Sequence, residues 1–154
     1  IELDGGDLVS VTVFGIYRAL CSYYVGKYDE SAKIINQLLN QSGLKNYPFV
    51  LMEIKALLAL QYCMQNDFDL FTQLSSSIQR QIRLLGKDAC ENIVLFLKML
   101  KFAASGSARE KEIRISALTE RIGNLKLSDY FSPTSFLRMD EKFVKKLCAV
   151  DFQS

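Results

Sequence analysis

The amino-acid sequence predicts an all-α chain, with about three antiparallel helix hairpins stacked side by side and a C-terminal capping helix. Three observations lead there. Apolar residues recur at three- and four-residue steps through seven successive segments, the period of an amphipathic helix. Glycine, asparagine and short polar runs separate those segments. Three of the breaks, Gly26, Asn66 and Gly106, stand 40 positions apart, a fixed interval of the kind that marks stacked helical units. With 154 residues, 49% of them apolar and only 2 prolines, the chain suits a single domain over 1–154, and the Ile1 start suggests a piece of a longer protein.

The first helix is expected over Asp7–Val25, where Leu8, Val11, Phe14, Tyr17, Leu20, Cys21 and Tyr24 follow the helical period. Gly26-Lys27 breaks it. Tyr28-Asp29-Glu30 then starts a second helix, with acids in the first turn against the helix dipole, and Gly43 closes it after Ser42. Pro48 suits the first turn of a third helix that runs to Met64, and Gln65-Asn66-Asp67 is its break. A fourth spans Phe68–Leu85 and is stopped by Gly86. The fifth, about Asp88–Ala104, is apolar on more than one side. The sixth covers about Ala108–Leu125, and an aromatic-bearing connection over Leu127–Pro133 leads to a last helix at Thr134–Val150. The hairpins thus fall at about 7–42, 47–85 and 88–125, and the cap at 134–150. The cap's apolar stripe, Phe136, Met139, Phe143, Leu147 and Val150, would cover the end of the stack.

The 40-residue step also relates Tyr28 to Phe68, Ala19 to Ala59, and Ile35 through Ser75 to Ile115. The plain alternative is a helical bundle whose hairpins have equal length. Tyr23-Tyr24-Val25-Gly26-Lys27-Tyr28-Asp29-Glu30-Ser31-Ala32 resembles the middle of a tetratricopeptide repeat, in which an aromatic ends the first helix, Gly turns, and an aromatic-Asp-Glu-Ala segment opens the second. Leu58-Ala59-Leu60-Gln61-Tyr62 followed by Asn66-Asp67-Phe68 is similar to the same motif one unit on. These stretches, with Asp129-Tyr130-Phe131 before a last helix, also resemble the C-terminal part of tetratricopeptide-like proteins of Bacteroidetes with degenerate repeats. The unit departs from the family's 34 residues, Leu70 and Phe71 replace the small residue of unit two, and unit three keeps only its turn. The resemblance implies a right-handed α-α superhelix.

Composition narrows the chemistry. The chain has no His, which removes the usual general base, the usual zinc ligand and the Ser-His or Cys-His pair. No phosphate loop or dinucleotide fingerprint occurs. The carboxylate pairs Asp29-Glu30, Asp67/Asp69 and Asp140-Glu141 read as helix starts and solvated ion pairs. Net charge is +2, from 19 basic and 17 acidic residues, with no basic stripe of the kind nucleic acid selects. The apolar runs Ala56–Leu60 and Ile93–Leu97 are far too short for a membrane span. Cys21, Cys63, Cys90 and Cys148 include no close pair, so no zinc knuckle is expected. They read as free thiols of a reducing, cytoplasmic setting, with one or two disulfides of a secreted protein as the alternative.

No catalytic residue, metal or cofactor is therefore expected. Function is expected to reside in a surface that binds a protein or peptide. In tetratricopeptide proteins the first helix of each unit lines a concave groove, and the matching positions here are Tyr17, Tyr24, Glu53 and Met64, with Arg18, Lys27 and Lys55 as charges for an acidic peptide end. The other reading of these side chains is plain inter-helix core. The other reading of the whole chain is a structural C-terminal helical domain of a larger regulatory protein or enzyme.

Overall fold

A computed structural model of the chain describes residues 5–126 and 130–151. Among the described residues it holds seven α-helices, α1 Gly5–Tyr24, α2 Tyr28–Leu39, α3 Pro48–Met64, α4 Phe68–Leu85, α5 Glu91–Ser105, α6 Ala108–Gly123 and α7 Glu141–Cys148, and no strand. Three single turns of tighter helix, Ser42–Asn46, Lys87–Cys90 and Pro133–Phe136, join them. The chain is all-helical, with each helix packed on a neighbour.

The 40-residue step has a physical basis in its first two members. At the end of α1 the Gly26 N–H donates to Tyr23 O and the Lys27 N–H to Ser22 O. At the end of α3 the Asn66 N–H donates to Cys63 O and the Asp67 N–H to Tyr62 O. Both are the same left-handed helix stop, with φ of +82° at Gly26 and +57° at Asn66, so Gly and Asn are interchangeable there. Gly106 differs. Its φ is −73°, an ordinary extended value, and glycine is needed instead for room, since a Cβ would sit 2.7 Å from Phe102 O and 3.2 Å from Lys111 Cγ. The third member of the repeat is a glycine for another reason.

Starts are set by side chains where the sequence provides them. Asp67 accepts from the Leu70 N–H, Ser107 from the Glu110 N–H and Asp140 from the Phe143 N–H, each satisfying an orphan donor of a first turn. Four boundaries shift from the expected ones. The second helix stops at Leu39, and Ser42–Asn46 makes a separate turn that buries Leu44 and brings Gly43 against Leu8. The fifth begins at Glu91, because Lys87–Cys90 is a tight turn of its own. The sixth ends at Gly123. The last helix is split: Pro133 opens a single turn, Leu137 and Asp140 are extended, and the Asp140 cap restarts the chain as α7. Part of the expected connection, 127–129, lies outside the described residues.

Within each hairpin the helices pack as α1 on α2, α3 on α4 and α5 on α6. The junctions between hairpins are not alike. α2 packs on α3, whereas the next junction is mainly α3 on α5, with α4 reaching forward through the Lys87–Cys90 turn. α3 is thus surrounded, and Met52, Ile54, Ala56, Leu57, Leu58 and Leu60 are all buried on it. Full burial of each Leu or Ile contributes roughly 1.5–3 kcal/mol. α7 packs on α6 and, to a smaller extent, on α5, while Pro133–Phe136 packs on α3.

The two kinds of glycine separate in a simple test. Gly106→Ala is expected to destabilise by about 1–3 kcal/mol, because backbone cannot yield to its Cβ. Gly123→Ala, whose Cβ meets nothing within 4 Å, is expected to be neutral or to stabilise by up to ~1 kcal/mol. Urea denaturation of the two variants measures both.

Candidate functional site

Glu53 is the one carboxylate inside a helix buried on nearly all sides, and it is 0% exposed. One oxygen accepts from the Asn92 side chain of α5 at 3.1 Å. The other accepts from Ser132 Oγ at 2.6 Å, from the Thr134 N–H at 3.0 Å and from Thr134 Oγ1. Four donors therefore enclose a group that is otherwise very costly to bury. Tyr130 closes the same corner. Its ring stacks on Phe49 with centroids 5.4 Å apart, and its hydroxyl, buried without a well-aligned hydrogen bond, is held in its protonated form by burial and by the neighbouring Glu53 carboxylate.

The remaining C-terminal segment is fastened in the same manner across α1 and α3. Phe136 packs on the Tyr17 ring with centroids 5.2 Å apart, the Arg138 N–H donates to Tyr24 Oη at 2.9 Å, and Lys146 Nζ lies 5.0 Å from the Tyr23 ring centroid and 5.7 Å from that of Tyr24. The Asp151 N–H donates to Asn66 Oδ1 at 3.3 Å in the α3–α4 turn. Lys111 is buried at the start of α6 and donates to Val150 O at 2.6 Å, and the space Gly106 leaves is what its stem occupies.

Three of the four sequence-derived binding positions are thus brought together, and what they bind is this chain's own segment 130–138. Glu53 offers no charge to solvent. Tyr17 and Tyr24 keep about half their surface exposed beside the segment. Met64 stands apart, half-buried against the core at the end of α3. Sequence reasoning missed Asn92, Ser132, Thr134 and Lys111, and the available signal was faint: hydroxyl residues on both sides of Pro133, and one carboxylate in a mostly apolar helix.

A second surface lies on the outer side of α1. Val11, Phe14, Arg18, Cys21 and Val25 follow one another at helical spacing and are exposed, Phe14 to 65% and Val25 to 70%. Arg18 lies over the Phe14 ring at 5.8 Å and, among the described residues, has no carboxylate partner. A solvent-open cleft between α5, α6 and the C-terminal segment is lined by both apolar side chains, Ile122, Leu125, Leu137 and Met139 among them, and charged ones, Asp88, Glu91 and Lys126.

Burial pushes the Cys63 thiol up to about 12, partly offset by Lys111, and its Sγ points at Leu100 O. Burial likewise raises Cys90 and Cys148. No cluster of three or more metal-ligating side chains occurs among the described residues, and no helix there is long and apolar enough to cross a membrane. Compared with protein-family models, with curated proteins and with solved structures, the chain matches none.

Two measurements follow from these groups. Glu53→Ala is expected to cost about 3–5 kcal/mol, because four inward-facing donors lose their acceptor. Glu53→Gln keeps an oxygen for Thr134 and should lose less. A double-mutant cycle of Glu53→Gln with Thr134→Val, read by denaturation, checks that the two residues are coupled. The thiols give a pH dependence. Cys63 ionises near 9 once unfolded but near 12 when folded, so the folded state holds the proton longer. Its contribution is fully present below pH 9 and is lost as pH rises towards 12. Stability is expected to fall over that window and to fall less in Cys63→Ala, relative to each protein's own value at pH 7.

Proposed function

We propose that this chain is a non-enzymatic scaffold of the tetratricopeptide type that docks another protein. The observation that carries the reading is the uncovered apolar stripe of α1. An exposed row of Val11 and Phe14 on α1, continued by Val25 just past its end, is the usual mark of an interaction surface, since apolar side chains gathered in one patch gain from being covered. The position is displaced from the expected groove. Glu53, Tyr17 and Tyr24 are engaged by the segment 130–138, so the positions expected to line a groove already meet this chain's own residues.

The degenerate repeat supports the family reading through its turns: the same left-handed stop at Gly26 and Asn66, followed in each case by an aromatic and an acid at the start of the next helix. The unequal junctions after α2 and α4 belong to a unit that has drifted from regular stacking. The second reading, a structural helical domain of a larger regulatory protein or enzyme, draws on the same stripe, which a neighbouring domain would bury.

The test uses purified chain as bait. Phe14→Glu should abolish capture of a partner that is then identified and shown to bind as a purified protein, while Ile113→Glu, an exposed position on α6, should leave it intact. Both variants should melt within a degree or two of the unaltered chain, since surface changes rarely exceed ±0.5 kcal/mol. Capture that ignores Phe14 would exclude α1 as the docking surface.

A further inference from the structure

We infer that the occupant of the α1 stripe is an amphipathic helix of a partner protein that packs as α2 packs on α3 and carries a carboxylate opposite Arg18. This rests on the scaffold reading and specifies its partner. The internal repeat supplies the template. At the 40-residue step, Val11, Phe14, Arg18 and Cys21 of α1 correspond to Leu51, Ile54, Leu58 and Gln61 of α3. Ile54, Leu58 and Gln61 are buried, at 0%, 3% and 0%, and Leu51 is half-buried. This sector of α3 lies on the side where α2 runs, as the hydrogen bond from Asn36 of α2 to Tyr62 Oη shows. Among the described residues, the corresponding sector of α1 has no counterpart of α2 upon it. Val11 and Phe14 are apolar like Leu51 and Ile54, so what covers them must offer what α2 offers α3: a face of Ala, Ile and Leu at helical spacing.

The exception in the row identifies the partner's charge. Leu58 is replaced in α1 by Arg18, which stacks on Phe14 and has no carboxylate partner among the described residues. A cation enclosed by a docked helix is very costly unless the helix brings a carboxylate, and an arginine with one makes a charge-assisted pair. Because α2 runs antiparallel to α3, the residue facing position 58 lies about one turn beyond Asn36, near Leu39. The partner helix should therefore be acidic at the position that Leu39 holds in α2.

Cys21, exposed at the far end of the row, reports the docking. The probe is a stapled helical peptide with the sequence Tyr28–Leu39 and the change Leu39→Glu, added to the intact chain, with alkylation of Cys21 as readout. At a concentration about ten times its Kd the peptide should slow alkylation about tenfold. Arg18→Glu should abolish that protection, and a peptide with Leu39→Lys should restore it. Protection that is indifferent to both charges overturns the carboxylate assignment. Cys21 protected in the chain alone, with sedimentation showing a dimer that Phe14→Glu dissociates, makes a second copy the occupant and overturns the inference. Absence of protection by any of the peptides also overturns it. In that case capture of an identified partner that still depends on Phe14 leaves the scaffold reading standing, and capture that ignores Phe14 removes both.

Discussion

A helix with no polar side cannot stand at the edge of a protein, and α3 is such a helix. Of its 17 residues Val50, Met52, Ile54, Ala56, Leu57, Leu58, Ala59, Leu60 and Cys63 are buried apolar groups spread around its circumference. Water must be kept from all of them at once. α2 and α4, the sequence neighbours, cover two sides, α5 covers a third, and the fourth is left to a segment from far along the chain, Pro133–Phe136. The arrangement of the other elements is what the burial of α3 requires.

That fourth side is where the buried carboxylate becomes intelligible. A single helical turn has backbone donors without partners of its own, and Glu53 accepts one of them, the Thr134 N–H, together with two hydroxyls. An apolar residue at position 53 would cover α3 as well but would fix neither the register nor the direction of the segment. The remaining fastenings, Tyr24 to the Arg138 N–H, Asn66 to the Asp151 N–H and Lys111 to Val150 O, have the same form. In each, a side chain of the helical hairpins pairs with a main-chain group of the C-terminal segment. Position is specified by polar groups, while most of the stabilisation comes from Leu137, Phe143, Val144 and Leu147 beneath them.

Much of this was legible in the sequence, for a reason that also explains what was not. Helix existence follows from local period and helix stops from local backbone preference, so Phe68–Leu85 is found where expected and the turns at Gly26 and Asn66 share one geometry. The splitting of the last helix depends on where Asp140 finds its donor, which the apolar stripe through Phe136 and Met139 conceals. The fate of Glu53 is less local still. Its partners stand 39 to 81 positions away, and neither spacing nor composition links a carboxylate on α3 to Ser132 and Thr134. Tyr17 and Tyr24 stand as groove positions only through the resemblance to tetratricopeptide repeats, and the contact they make within the chain, with Phe136 and Arg138, could be known only from the tertiary arrangement.

α1 and α3 occupy matching places in the repeat and fare differently. Both start hairpins, both end in the same left-handed turn, and Ala19 and Ala59 are equally buried against their own second helices. The C-terminal segment touches both, burying Glu53 of α3 and leaving Tyr17 and Tyr24 of α1 about half exposed. They part on the outer side, where Ile54 meets no water and Phe14 is 65% exposed. Covering an exposed phenylalanine and its valine neighbours returns roughly 25 cal/mol for each Å² removed from water, whatever does the covering. Packing that face requires nothing of the rest of the fold, whose core is closed without it. The surface on α1 is therefore available for association without any rearrangement, whereas the inner side could be vacated only by breaking the four hydrogen bonds to Glu53 and unfolding the segment that supplies three of them.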